Sequence, residues 1–377
     1  MEKTIAVLGA GLVGGPLARD LAAEDGFEVT VADVDGAALS RLRAHDPSID
    51  TMTADLSDAG AARALAAASD LVVSAVPGHL GFATLRAVIE AGTDVVDIAF
   101  FPEDPFELDS LAKERGVTAV VDAGVAPGLS NLLVGRAHAD LDETEEVLIL
   151  VGGLPVKREW PYEYKAGFSP IDVIEEYTRP ARYVQGGEVV TRPALSEPEP
   201  IDFEGVGTLE AFNTDGLRTL AATIDAPDMK EKTLRYPGHI EKMAVLRETG
   251  FFDAEPVDVD GAKVRPIDLT AALLFPMWKL GEGEADLTAM RITVAGRRDG
   301  QPVRRSFRLL DRYEPATGVH SMARTTGYTA TAIARLLLEG RFAEPGVVPP
   351  EFIGRSAECV DFVLARLGER GVVVRED

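Results

Sequence analysis

The sequence predicts an α/β protein in which a doubly wound parallel sheet is followed by an α/β domain with a mixed, largely antiparallel sheet. Three observations lead there. A short apolar run, Thr4 to Leu8, enters the loop Gly9-Ala10-Gly11-Leu12-Val13-Gly14, and a second strand ends at Asp33, 19 residues past Gly14, the order of a Rossmann-type unit. Strand-like runs then alternate with helical stretches as far as Asp122. Beyond about Ala123 the strands lengthen, and Arg298-Asp299-Gly300-Gln301 reads as a hairpin turn. A chain of 377 residues exceeds one ordinary core, and the expected segments are 1–122, 123–324, and 325–377 as C-terminal helices packing back on the first domain.

Each element of the first segment has a local reason. TIAVL has the continuous apolar character of a buried parallel strand. Gly9 permits a tight turn, Gly11 lets the backbone approach a pyrophosphate, and Gly14 lets the next helix, through about Ala23, pack on the strand. Phosphates are expected at that helix's N-terminus, with Leu12 and Val13 in the same loop. The second strand, Glu28 to Ala32, presents Asp33 to the ribose hydroxyls. Its carboxylate repels a 2′-phosphate and Val34-Asp35-Gly36 supplies no arginine, so NAD is expected rather than NADP. Further strands are expected at Ile49 to Thr53, Asp70 to Ala75 and Asp94 to Ile98, with Asp55 beside the adenine and Val76-Pro77 beside the nicotinamide ribose. His79 reads as a surface loop residue. Asp97 is a weaker candidate acid than Asp122, which ends the run VVDAGVAPGLSN at the ligand-binding edge of the sheet.

In the second segment, a helix from Leu132 to about Ala139 precedes a buried strand from Glu146 into Gly152-Gly153. Arg182 to Val190, Gly207 to Thr214, Lys232 to Tyr236, Met290 to Arg297 and Val303 to Arg312 read as sheet strands, and Pro170 to Tyr177 and Pro266 to Leu274 as helices. Helical periodicity returns at Thr326 to Leu338 and about Ala357 to Leu367. The loops Pro155 to Gly167 and Ala194 to Pro200, rich in proline and aromatics, read as shaped binding loops.

Composition excludes several classes of function. With 62 acids against 38 bases the net charge is -24, which repels nucleic acid and anionic membrane surfaces. Nine lysines against 29 arginines fit either a high-salt cytoplasm or a GC-rich genome. There is no run of 18 apolar residues and no signal peptide, so a cytoplasmic location is expected. The single cysteine, Cys359, reads as a packing residue, which sets aside zinc and thiol chemistry. A half-exposed antiparallel sheet in the second domain favours a homodimer or a higher homo-oligomer.

The segments GAGLVG, AVPGHLGF from Ala75, DIAFFPEDPFEL from Asp97, DAGVAPGLSN from Asp122, VGGLP from Val151, EEYTRPAR from Glu175, LRYPGHIEK from Leu234 and MARTTGYTA from Met322 together resemble the saccharopine dehydrogenase superfamily, with most similarity to its NAD-dependent L-lysine 6-dehydrogenases. The resemblance implies a Rossmann domain, a substrate domain that also supports oligomer contacts, and oxidation of an amine rather than an alcohol. For lysine, the ε-ammonium, with a reference pKa of about 10.4, must lose a proton before the adjacent carbon can release hydride. Asp122 and His239 are the candidates for that step and for activating water. Arg235 and Arg324 are candidate forks for the α-carboxylate, and Tyr164, Asn213 and Thr325 candidate orienting groups. A saccharopine or carboxynorspermidine dehydrogenase would need positive charge for a second arm, available from Lys157, Arg158, Lys165, Arg179, Arg182 and Arg218. A non-catalytic NAD-binding sensor is the alternative from another class.

Overall fold

The computed structural model describes residues 2–281 and 283–377. In chain order the strands are β1 (Lys3–Leu8), β2 (Phe27–Asp33), β3 (Asp50–Thr53), β4 (Leu71–Ser74), β5 (Asp94–Asp97), β6 (Thr118–Val120), β7 (Glu143–Pro155), β8 (Ala181–Gln185), β9 (Glu188–Arg192), β10 (Glu199–Phe203), β11 (Gly207–Asn213), β12 (Asp228–Arg235), β13 (Val257–Val259), β14 (Ala262–Val264), β15 (Asp286–Arg298), β16 (Gln301–Arg312), β17 (Gly346–Val348) and β18 (Val374–Glu376). By compactness the chain forms two units, one of residues 1–139 with 323–373 and the other of 140–322 with 374–377.

The first unit is built on a seven-stranded sheet in the order β17-β6-β5-β4-β1-β2-β3, every pair parallel. The order reverses between β1 and β4, the switch point at which open α/β sheets bind ligands. Ile5, Val7, Leu8, Val72, Val73, Val95 and Val96 are all buried, as strands covered on both faces require. Helix Gly14–Ala22 turns Leu17, Ala18 and Leu21 to the core. The unit continues past Asp122 through helix Leu129–Ala139, which packs very closely on Pro350–Gly354: a Cβ on Gly135 would stand 2.2 Å from the Glu351 carbonyl oxygen, and one on Gly354 2.2 Å from that of Leu132. Helix Ser321–Leu338 is tied to the first helix by Arg335, 1% exposed, which pairs with Asp20 at 2.8 Å and with Glu24, while Arg370 adds a second pair to Asp20. β17, three residues long, extends the sheet beside β6 and was too short to be anticipated from periodicity.

The second unit holds a nine-stranded mixed sheet with the path β10-β11-β12-β7-β15-β16-β18, to which the hairpin β8–β9 attaches through β12. Among the described residues of this sheet β7 and β12 pair in parallel and the other strand pairs are antiparallel. The β15–β16 hairpin closes at Arg298 and Gln301 around Asp299 and Gly300, both left-handed (φ 52° and 74°), the backbone a two-residue turn needs. The expected single strand Arg182 to Val190 is instead the β8–β9 hairpin, because Gly186 and Gly187 take left-handed conformations (φ 61° and 81°) and reverse the chain. Helix Pro266–Trp278 runs past Leu274 despite Pro276. No described helix is long and apolar enough to cross a membrane.

Candidate functional site

In the first unit the glycine loop is sterically determined. A Cβ on Gly14 would lie 2.1 Å from the Gly9 carbonyl oxygen; Gly9 has φ 108°, and its Cβ would lie 2.7 Å from the Ala75 carbonyl oxygen. The same approach sets Val76 and Pro77, at the start of helix Gly78–Ala91, beside the loop. A Cβ on Gly11 would meet nothing within 4 Å, so the loop presents bare backbone there. Val13, the cap of helix Gly14–Ala22, makes no side-chain capping bond; in the first turn Gly15 donates to the Gly11 carbonyl and Pro16 has no N–H, so Gly14 is the first-turn donor that can face an anion. Asp33 is held against this loop: its Oδ2 accepts from the Ala10 N–H at 2.6 Å and its Oδ1 from the Asp35 N–H at 2.8 Å. Leu12, Val34 and Met52 are large, apolar and exposed around that carboxylate, Met52 being the β3 partner of Ala32. Asp55 caps the turn after β3, accepting from the backbone N–H and hydroxyl of Ser57, and these bonds lower its pKa. His79 is exposed.

At the carboxyl edge of the sheet, Ser74, Asp97 and Asp122 end or follow the adjacent strands β4, β5 and β6. The Ile98 N–H donates to the Ser74 carbonyl and the Ala123 N–H to the Asp97 carbonyl, which keeps the three in step. All three are buried. Asp122 has φ 53°, a left-handed backbone that costs a non-glycine residue on the order of 1–2 kcal/mol and tends to occur at functional sites. The Gly124–Gly128 turn that follows folds tightly, and helix Leu129–Ala139 begins three residues before the expected start at Leu132. Arg324 and Thr325 belong to this first unit. Arg324 donates to the Arg370 carbonyl at 2.8 Å, and the Thr325 carbonyl accepts from the Thr329 hydroxyl.

The second unit gathers the other candidates. After β12 the chain turns through Gly238 (φ 85°), and His239 opens helix His239–Glu248. The ring is 1% exposed, with Nδ1 2.8 Å from the Tyr162 carbonyl oxygen and Nε2 3.0 Å from the Tyr177 hydroxyl. A carbonyl only accepts, so Nδ1 carries the proton and Nε2 accepts from the phenol. Burial and then the Arg235 charge push the His239 pKa down to about 3, so the ring is neutral. Tyr177, pushed up to about 12 by burial, stays a neutral phenol. Arg235 donates from Nε to the Tyr177 hydroxyl at 3.2 Å, from Nη1 to the Leu234 carbonyl and from Nη2 to Glu176 at 2.5 Å, which engages three of its five N–H groups. Its guanidinium lies 4.5 Å from the Tyr164 ring centre. Tyr164 in turn stands 5.1 Å from the His239 ring and 5.4 Å from Trp278, whose buried indole N–H has no partner. Asn213 donates to the Ser196 hydroxyl and its buried carbonyl oxygen is unpartnered.

Thus Tyr164, Arg235 and His239 form one cluster, completed by Glu176, Tyr177 and Trp278, which sequence reasoning did not single out. Glu176 and Tyr177 lay inside the noticed segment EEYTRPAR. Glu231, two residues before Thr233 and four before Arg235, lies on the same β12 face; Thr214 donates to it at 2.5 Å and also meets Thr233 at 2.8 Å. Burial pushes the Glu231 pKa up to about 8. A Cβ on Gly216 would meet the Glu231 carboxyl at 2.3 Å, so glycine there makes room for it. Five of the six basic residues considered for a second substrate arm are engaged by carboxylates of this unit: Lys157 with Glu159, Arg158 with Glu163, Lys165 with Glu159 and Glu284, Arg179 with Glu175, and Arg182 with Asp215.

Two family models match the chain in sequence: the saccharopine dehydrogenase NADP binding domain over residues 5–120 and the saccharopine dehydrogenase C-terminal domain over residues 124–372. The chain belongs to the saccharopine dehydrogenase family. Among its relatives, the mitochondrial alpha-aminoadipic semialdehyde synthase of Mus musculus is 26% identical over 67% of this chain, which spans 29% of that protein's length. Saccharopine dehydrogenase [NADP(+), L-glutamate-forming] of Saccharomyces cerevisiae is 23% identical over 100% of this chain and 99% of its own. Carboxynorspermidine synthase of Vibrio cholerae is 25% identical over 74% of this chain and 71% of its own. The solved structure of the apo yeast saccharopine dehydrogenase has the same fold, with a TM-score of 0.80 and 22% identity over 100% of this chain and 99% of that one. In this member of the family, the nucleotide-binding unit is the one that carries the glycine loop, Asp33 and Asp122.

Proposed function

We propose that this saccharopine dehydrogenase family member is an NAD-dependent amino-acid dehydrogenase that oxidises the ε-carbon of L-lysine to allysine with release of ammonia, the allysine then cyclising to piperideine-6-carboxylate. The observation that carries the choice of lysine is the ion pairing of the basic side chains in the second unit. A substrate with a second dicarboxylate arm needs positive charge to receive it, and here Lys157, Arg158, Lys165, Arg179 and Arg182 already face carboxylates. In this reading Arg235, already held by Tyr177 and Glu176, is the one guanidinium that receives the single α-carboxylate.

The glycine loop and Asp33 fit a dinucleotide. Gly11 bares backbone for the pyrophosphate, the Gly14 N–H at the helix end can face it, and Asp33 offers its remaining lone pairs to the ribose diol. Although the matched family model is named for NADP, a 2′-phosphate would meet the Asp33 carboxylate; this supports NAD. Bound NAD supplies the hydride acceptor. Asp122 takes the proton from the ε-ammonium, which frees the nitrogen lone pair that drives hydride from the ε-carbon and leaves an iminium ion. Water adds to that carbon, and loss of ammonia gives the aldehyde; overall, lysine, NAD and water yield allysine, ammonium, NADH and a proton. His239, neutral and bonded to Tyr177, orients the phenol and through it Arg235 rather than serving as a strong base. Lysine deuterated at the ε-carbon tests the reading: deuterium should appear in the reduced cofactor. Its absence, with tight NAD binding, would favour the sensor.

Saccharopine or carboxynorspermidine dehydrogenation of a secondary amine is the second reading, which the names of the yeast and Vibrio relatives support. It predicts that the basic residues above exchange their internal carboxylates for the substrate's second arm.

A further inference from the structure

Asp122 stands on a left-handed backbone, and strain of that kind persists only where the surroundings fix the chain on both sides. On its amino side the Val121 N–H donates to the Val348 carbonyl at 3.3 Å, and on its carboxyl side the Ala123 N–H donates to the Asp97 carbonyl at 2.9 Å. The chain then folds back on itself. The Gly124 carbonyl accepts from the Leu129 N–H at 2.8 Å and the Val125 carbonyl from the Ser130 N–H at 3.0 Å, while a Cβ on Gly128 (φ 139°) would lie 1.9 Å from the Gly124 carbonyl oxygen.

Asn131, fully buried, closes this turn from the helix side. Its Oδ1 accepts from the Gly128 N–H at 3.4 Å and from the Ser130 hydroxyl at 3.0 Å, and its Nδ2 donates to Glu351 Oε2 at 3.2 Å. A backbone N–H only donates, so the amide oxygen must face Gly128 and its nitrogen the carboxylate. Glu351 lies 220 residues further along the chain and is itself fully buried, where a carboxylate is found only with partners. It belongs to the same short segment that supplies the Val348 carbonyl. β17 pairs with β6, Pro349 and Pro350 carry the chain on with φ fixed by their rings, and helix Pro350–Gly354 brings Glu351 to Asn131. The close approaches at Gly135 and Gly354 leave that helix no room to slide.

We propose that residues 346–354 are a strap that holds the Asp122 turn at both ends, with Glu351 as its positioning residue, acting through Asn131 to keep the Asp122 carboxylate aimed at the amine; this rests on the reading of Asp122 as the proton acceptor. An apolar side chain at position 351 removes the acceptor of the Asn131 amide, which must then turn away from Gly128 or admit water. Because a misplacement of about 1 Å can cost on the order of 100-fold in rate, the loss appears in kcat.

Kinetics and hydrogen exchange of the full chain test the strap. With L-lysine and NAD near neutral pH, Glu351→Leu and Asn131→Ala should each lower kcat by about 10–100-fold while KM for NAD stays within about twofold. The two together should fall no further than the worse single variant, because both remove one link. Glutamine keeps an oxygen for the Asn131 amide, so Glu351→Gln should recover kcat to within about threefold of wild type. The deficit should shrink as pH approaches about 10, where more lysine arrives as the free amine, and Asp122→Asn should show the same trend; a merely structural defect would not follow the substrate's own pKa. Hydrogen exchange of the peptide spanning residues 120–131 reads the strap without turnover: it should quicken at least about tenfold in Glu351→Leu and keep the wild-type rate in Glu351→Gln. A wild type that forms no NADH from lysine would contradict the proposed function and leave exchange to decide the strap. Should Glu351→Leu fail to fold, Asn131→Ala decides by the same two readouts. Wild-type exchange, or wild-type kcat in a chain that does turn over lysine, would overturn the assignment in either variant.

Discussion

Replacing Glu231 with glutamine should make stability much less sensitive to alkaline pH. The carboxyl is 5% exposed, and burial raises its pKa from the ordinary 4.5 to about 8 in the folded chain. Between those values the folded state holds a proton that the unfolded state has released, so stability falls as pH rises, by about 1.4 kcal/mol per unit for one proton. The loss is nearly absent below pH 4.5 and complete above pH 8. Over the interval the shift corresponds to an upper limit of about 4–5 kcal/mol, and relaxation around a buried group reduces it to about half, about 2–2.5 kcal/mol. Glutamine keeps an acceptor for the Thr214 hydroxyl and has no proton to lose. Urea unfolding of both proteins at pH 5 and pH 9, followed by circular dichroism, should show Glu231→Gln gaining about 2–2.5 kcal/mol over wild type between the two conditions. Parallel stability profiles would refute the burial argument.

Three further outcomes follow from the same structure. Asp33→Ser should lower kcat/KM for NAD by about 10–100-fold while NADP is spared or improved, which steady-state kinetics with both cofactors would read. Asp122→Asn keeps a residue type that tolerates the left-handed backbone at φ 53°, so melting temperature and NAD binding should hold while kcat falls by about 100–10,000-fold. Arg335→Met removes the cation that pairs with Glu24 and leaves Asp20 paired with Arg370; denaturant unfolding should show a loss of about 3 kcal/mol, and a change below about 0.5 kcal/mol would contradict the picture of a buried ion network.

How much of this was legible in the sequence depended on whether a residue's reason was local. Gly9, Gly14 and Asp33 are constrained by neighbours in one βαβ unit, and the backbone approaches at Gly9 and Gly14 are the ones the motif implies. Asp299-Gly300 is likewise fixed by its own turn. Glu231 was not legible: in DMKEKTLR it reads as part of a solvated charged strand, yet β12 lies between β11 and β7, and its Glu231, Thr233 and Arg235 are all buried. Glu176 and Tyr177 sat in a recognised segment, but only their contacts with Arg235 and His239 give them a role. Gly186-Gly187 carried a turn signal that an apolar, β-branched run on either side concealed. Arg324, grouped by sequence order with the second segment, lies in the first compact unit because helix Ser321–Leu338 continues into it.

The most direct measurement of the central claim is the absorbance of reduced cofactor formed by the purified chain from NAD or NADP with L-lysine or saccharopine at alkaline pH, in low and high salt. NADH formed from lysine and NAD, with saccharopine inert and NADP poor, is the predicted result. Turnover with saccharopine and none with lysine would contradict the lysine assignment and make Lys157, Arg158 and Arg182 the residues that hold the second arm.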